Sequence, residues 1–144
     1  MNFLLIVLLL ISSLRSEPLF VKEFHELVSK QEEIEYINKY TNSNNVTVAG
    51  YVTCVKIRQA KYKLVPWVKL AIFNKEKLKL ELLIKRSPNN LHLRYLRLVV
   101  QESIPEILNY KSNIKNDKLF IENFLSVCDT TDYLDKYILK NTSL

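Results

Sequence analysis

Glycine is all but missing: Gly50 is the only one in 144 residues. Phosphate-cradling loops need several glycines, for tight turns and for close backbone approach to the phosphate. Their scarcity excludes a dinucleotide fingerprint, a Walker loop and a kinase-type glycine lid. The nucleophile elbow G-x-S-x-G falls by the same count. Antiparallel β folds with many tight turns are also disfavoured, because such turns need residues that tolerate positive φ. Asparagine can stand in at some of them, and there are 13. Cysteine and histidine are as scarce, two of each: Cys54 and Cys128, His25 and His92. No C-x-x-C occurs, and the histidines are far from the cysteines and from each other in sequence. Spacing therefore supplies no metal site, and no cofactor is implied. Carboxylates are numerous, but no pair can be singled out as acid and base, which leans the reading away from an enzyme.

What the chain does have is apolar content: 48% hydrophobic against 25% charged, enough to close one hydrophobic core at this length. Residues 3–11 form an unbroken apolar run, followed by Ser12, Ser13, Leu14, Arg15 and Ser16. The run is too short to span a bilayer as a helix, which takes about 20 residues. It suits the apolar stretch of a secretory signal, with small residues after it for cleavage at Ser13 or Ser16. Residues 1–16 are therefore expected to be a signal peptide, although no Lys or Arg precedes the run. A buried N-terminal helix and an uncleaved anchor are the alternatives. The protein is expected to be exported, periplasmic or secreted, with residues 17–144 forming one helical domain. In an oxidising compartment Cys54 and Cys128 could form a disulfide. Two buried thiols that pack as small hydrophobes are the favoured alternative.

From Pro18 onward the hydrophobic period is helical. Phe20, Phe24, Leu27 and Val28 share one stripe, then Ile34, Ile37 and Tyr40, before a polar loop over residues 41–45 with Asn45 placed to cap the next element. Residues 46–62 are rich in β-branched side chains, which favours a strand. Yet Val48, Tyr51, Val52 and Val55 fall on one helical face, and the segment outruns a normal strand. The reading is a helix, and small Ala49 and Gly50 would let a neighbour approach closely. Residues 64–73 begin another helix, with Pro66 in its first turn, continued or restarted after a kink over residues 74–86. Phe73, Leu80, Leu83 and Ile84 face inward there, and Ser87-Pro88-Asn89-Asn90 stops the helix. Leu91–Ser103 is apolar around most of its circumference and is expected to be the most buried helix. Residues 116–128 and 131–140 close the chain, the last helix capped by Asp129-Thr130-Thr131-Asp132. The expected fold is all-α, six or seven helices packed as antiparallel hairpins.

Arg94, Arg97 and Gln101 stand at i, i+3 and i+7 on the central helix. As a ligand site this polar stripe would take a carboxylate or another anion. As scaffold, the arginines would pair with Glu102, Glu106 or Asp117, because an unpaired buried charge is costly. The scaffold reading is favoured; Arg94, Arg97, Gln101 and Asp117 are the candidate residues in both. The lone Trp67 is expected to fill the core, with an exposed anchor for a partner as the alternative. His25, flanked by Phe24, Glu23 and Glu26, is expected at the surface. The net charge is +6, and Lys56, Arg58, Lys61, Lys63, Lys69, Lys75, Lys77, Lys79 and Lys85 meet only Glu76 and Glu81 in their stretch. Such a face can bind phosphate polymers or an anionic membrane surface. However, lysine outnumbers arginine 16 to 5, as in AT-rich coding sequences, so part of the charge reflects codon composition. With no helix-turn-helix or RNA-binding signature, nucleic acid is disfavoured, a solvated face is expected, and a membrane surface stays open as a partner.

Residues 78–90, LKLELLIKRSPNN, resemble the end of a tetratricopeptide-type hairpin, with Leu80, Ile84 and Pro88 where such a repeat places them. Glu76 stands where that repeat has a small residue, and no second copy occurs at its ~34-residue period. A longer string, PNNLHLRYLRLVVQESIPEILNY followed by NIKNDKLFIENFL, is similar to a family of small exported helical proteins of flavobacteria and their relatives. Members begin with a signal peptide and carry Pro-Asn-Asn, a helix with Arg-aromatic-Leu-Arg, then Pro, Tyr and Asp-Lys; here these are Arg94-Tyr95-Leu96-Arg97, Pro105, Tyr110 and Asp117-Lys118. The resemblance implies export and a helical fold, and brings no activity with it. Elimination and fold analogy leave a non-enzymatic helical module that contacts other proteins or the envelope. The rivals are a basic nucleic-acid-binding domain, and an enzyme or binding protein for an anionic ligand around Arg94 and Arg97.

Overall fold

The computed structural model describes residues 16–144, so the expected signal peptide lies, but for Ser16, outside the described residues. Seven α-helices run through the described residues, with no strand among them. They are α1 (Leu19–Glu26), α2 (Lys30–Tyr40), α3 (Val46–Gln59), α4 (Pro66–Arg86), α5 (Leu91–Ser103), α6 (Ile114–Leu125) and α7 (Asp135–Asn141). Consecutive helices pack on each other through short connections, α2 on α3, α3 on α4 and α5 on α6, and α5 also lies against α3. The fold is the expected all-α stack of antiparallel hairpins.

Local chemistry explains the helix starts. Ser29 and Glu32 form a reciprocal capping box at α2, the Ser29 hydroxyl accepting from Glu32 N–H while the Glu32 carboxylate accepts from Ser29 N–H. Asn45 caps α3 by accepting from Thr47 and Val48 N–H, and Asn90 caps α5 by accepting from Leu93 N–H. The Asn90 amide also donates to Thr47 Oγ1 at 2.7 Å, tying the two starts together. Asp129 accepts from Thr131 N–H and Asp132 accepts from Asp129 N–H, which opens the 3-10 turn Asp132–Leu134 before α7. Asn109, at φ 46°, takes a left-handed turn position of the kind usually left to glycine.

One buried cluster draws side chains from all seven helices, and α5 is its centre: Leu91, Leu93, Tyr95, Leu96, Leu98 and Val100 are all buried. Gly50 of α3 faces this helix. A Cβ there would lie 2.3 Å from Leu93 Cδ2 and 3.3 Å from Leu96 Cδ1, so the close crossing of α3 and α5 depends on its absence. The first and last parts of the described residues also meet. Glu17 accepts from the Tyr137 hydroxyl and pairs with Lys136 at 3.0 Å, and His25 stacks on Tyr137 with 3.7 Å between ring centroids.

Several expectations are corrected. α4 takes the continuous form of the two left open, and only its start is corrected: it begins at Pro66, with Leu64 outside it and exposed. Val28 lies beyond the end of α1 and points to solvent, while Val21 takes the buried place. In α2 the most buried residues are Glu33 and Tyr36, with Ile37 and Tyr40 packed only at the edge. Cys54 is buried but Cys128 is exposed, its thiol 3.2 Å from Asp132, and no disulfide joins them.

Candidate functional site

The predicted polar stripe is an ion-pair cluster that joins three helices. Arg97, 4% exposed, makes two parallel bonds to Asp117 of α6, Nε to Oδ2 at 2.6 Å and Nη2 to Oδ1 at 2.7 Å. Its Nη1 donates to Glu81 of α4 at 2.9 Å, and the Tyr110 hydroxyl donates to the same carboxylate. Arg94 Nε lies 2.6 Å from Asp117 Oδ1, an ionic contact outside hydrogen-bond alignment, and its guanidinium covers the Phe120 ring at 4.7 Å. The fork geometry and the two-against-two charge balance give Asp117, fully buried, the partners it needs. Gln101 sits one turn further along, with a marginal 3.5 Å contact to Asn113 and its Oε1 buried without a partner. Glu102 and Glu106, the other expected partners, go elsewhere: Glu102 to Lys118 at 3.1 Å, Glu106 towards Lys111 at 4.0 Å.

A second cluster was hidden from sequence. Glu33, buried on α2, accepts from Arg58 Nε (3.1 Å), Gln59 Nε2 (2.6 Å) and Lys61 Nζ (3.0 Å). Two members of the basic stretch, Arg58 and the half-exposed Lys61, are thereby paired to one buried carboxylate as a clamp between α2 and the segment that ends α3, so part of that stretch is neutralised.

His25 is not a surface residue. It is half-buried, and its Nδ1 donates to the Val21 carbonyl at 2.7 Å, which leaves Nε2 to accept from the Tyr95 hydroxyl at 2.9 Å. His92 is bonded on both ring nitrogens, to Tyr51 (2.8 Å) and Tyr133 (3.0 Å). Burial disfavours the imidazolium and pushes both pKa values down to about 4, so both rings are neutral near pH 7. Burial likewise pushes the Cys54 thiol up to about 12, which removes it as a nucleophile. No group of three His, Cys, Asp or Glu side chains suited to a metal ion occurs among the described residues. His25, Tyr95, Cys54 and Arg58 border a cavity of about 370 Å³ between α1, α3, α5 and α7.

The third feature is the outer face of α4. Trp67 is 74% exposed, against the expectation of a core residue, because Phe73, Glu76, Leu80, Leu83 and Ile84 define the buried face and Trp67 falls opposite them. Leu78 and Leu82 lie on the same outer line and are exposed, with Lys75, Lys79, Lys85 and Arg86 exposed around them. Neither acid of the helix stands unpaired on this face: Glu76 is buried, and the partly exposed Glu81 is held by Arg97 and Tyr110.

No known protein family, characterised protein or solved structure matches the chain. The sites therefore stand on their own geometry.

Proposed function

We propose that this is an exported, non-enzymatic helical module that docks on an anionic lipid surface through the outer face of α4. One observation carries the reading: α4 buries Glu76, ties the partly exposed Glu81 to Arg97 and Tyr110, and leaves Trp67, Leu78 and Leu82 outside among lysines. Exposed leucines in line with a tryptophan lose free energy to water and regain it in the headgroup layer, where an indole ring is well placed. Each lysine near an anionic leaflet adds about 1 kcal/mol of attraction, which carboxylates on the same face would cancel. A nucleic acid would use the cations and leave the leucines unburied. The Arg94 and Arg97 guanidinia already have Asp117 and Glu81, which supports scaffold over ligand binding. Export is supported by the apolar run at residues 3–11 and the small residues that follow it.

Co-sedimentation tests the docking. The purified protein should pellet with phosphatidylglycerol-rich vesicles and not with pure phosphatidylcholine, Trp67 fluorescence should shift to the blue, and Leu78→Ser with Leu82→Ser should abolish both. Salt should weaken the interaction, since surface charges are screened within about 10 Å at 0.1 M. Equal binding to duplex DNA that the double substitution leaves intact would instead favour the nucleic-acid reading. For export, mass spectrometry of the native protein should find a mature N-terminus near residues 13–17. An intact Met1 in a cytosolic fraction overturns it.

A further inference from the structure

We infer that the cavity between α1, α3, α5 and α7 is a binding site for a small amphiphilic carboxylate, held by Arg58 at one side and by the apolar wall of α5 at the other. At about 370 Å³ the cavity lies within the ~300–1,000 Å³ range of small-molecule sites. Leu96, Val99 and Val100 supply an apolar wall, and Phe24 lies opposite on α1. Polar groups converge on the same space. The Tyr95 hydroxyl bonds to His25 Nε2 and accepts from the Asn141 amide at 3.3 Å, so a ligand oxygen would meet an existing hydrogen-bonded chain.

Charge selects the ligand class. Arg58 is the one charged side chain among the described lining residues, which include no carboxylate. Its neighbour Glu33 is shared with Lys61, which puts two cations on a single carboxylate and leaves the locality positive. The Arg58 guanidinium is already fixed, its plane over the Phe24 ring at 5.4 Å and its Nη2 donating to the Leu27 carbonyl at 3.3 Å, so binding needs little ordering of that side chain. Nε and Nη2 are engaged by Glu33 and Leu27, so Nη1 is the group a ligand would meet; that donor and one surplus charge match one oxygen of a monoanionic carboxylate, and the apolar wall asks for a hydrocarbon body behind it. The buried Cys54 thiol in the wall is held protonated, so the cavity is fitted to bind and not to form a covalent adduct. None of these residues belongs to the outer face of α4, so the cavity and the membrane face can be tested independently.

Amide chemical-shift mapping by NMR tests it, with the full chain titrated with decanoate and, in parallel, with decanol. Saturable shifts are expected at Cys54, Val99, Val100 and Asn141 with decanoate, and decanol should bind at least about tenfold more weakly, the worth of one charge-assisted contact. Arg58→Gln should remove that preference, and Val99→Trp should abolish binding by filling the cavity; circular dichroism checks that each variant is folded. Should Val99→Trp fail to fold, Ser103→Trp fills the same space from the end of α5. Shifts centred on α4, equal affinity for decanol, or binding that survives a folded cavity-filling variant would each overturn the inference.

Discussion

Single atoms decide two positions. Asp117 is buried and serves two arginines, so Asp117→Asn removes the charge that both Arg94 and Arg97 answer to. Breaking a buried pair from one side costs about 3–5 kcal/mol, and urea unfolding should show a loss of unfolding free energy of that size. A loss below about 1 kcal/mol, the worth of an exposed pair, would show that water or Glu81 takes over. Gly50→Ala sets two effects against each other. Helix propensity favours alanine by about 1 kcal/mol, but the new methyl would meet Leu93, itself fully buried, at 2.3 Å. Overpacking of a dense core costs about 1–3 kcal/mol and should win, so the variant is expected to melt lower and Leu93→Val in the same chain to restore part of the loss. The pairing of Arg97 with Asp117 was legible because buried arginine on an apolar helix demands a carboxylate, and Asp117 was one of three in reach. The Glu33 clamp was not, since nothing in a local pattern tells a buried glutamate from a solvated one. Its one local trace was the S-x-x-E box at Ser29, which fixes where α2 begins and hence where Glu33 points.

At the scale of the helix, periodicity located the buried faces of α3, α4 and α5, and it overrode the β-branched bias of α3 because length and register agreed. It failed where apolar residues occupy both sides of one helix. In α4 the inner set (Phe73, Leu80, Leu83, Ile84) and the outer set (Trp67, Leu78, Leu82) together blur the stripe, and a lone tryptophan then defaults to the core. His25 was misplaced because its burial comes from Tyr95 and Tyr137, at least 70 residues away in sequence. The two faces of α4 should respond oppositely to substitution. Leu80→Ala should cost about 2–5 kcal/mol by opening a cavity, as should Leu96→Ala or Leu98→Ala in α5. Leu78→Ser with Leu82→Ser should change stability by no more than about 0.5 kcal/mol per site, since both already meet water. Chemical unfolding of the two α4 variants side by side is the measurement; an equal loss on both faces would mean that α4 is covered in the folded state.

For the whole molecule, acid is the lever. The folded pKa of His92 lies near 4, below the ordinary value of 6.5, because burial disfavours its charged form. The unfolded chain therefore takes up the proton first. The stabilisation is complete above about pH 6.5, declines as pH falls through the interval, and is gone below about 4. At ~1.4 kcal/mol per pKa unit the loss at His92 is about 3 kcal/mol, and His25, half-exposed, adds a smaller amount in the same direction. Urea midpoints between pH 7.5 and 4.5 should fall accordingly, and His92→Gln should flatten much of the slope; a flat profile in the unsubstituted protein would contradict it. The strap between Glu17, His25 and α7 bears on how the chain is made. A ribosome delivers α1 first and α7 more than 100 residues later, on the order of ten seconds at ~5–20 residues per second. Until then α1 has only α2, α3 and, once it is made, α5 to rest on. A chain stopped after Asp132 keeps that condition for good: its α1 amides should exchange with solvent hydrogen much faster than those of α3, so a late nonsense codon would unlatch the beginning of the protein.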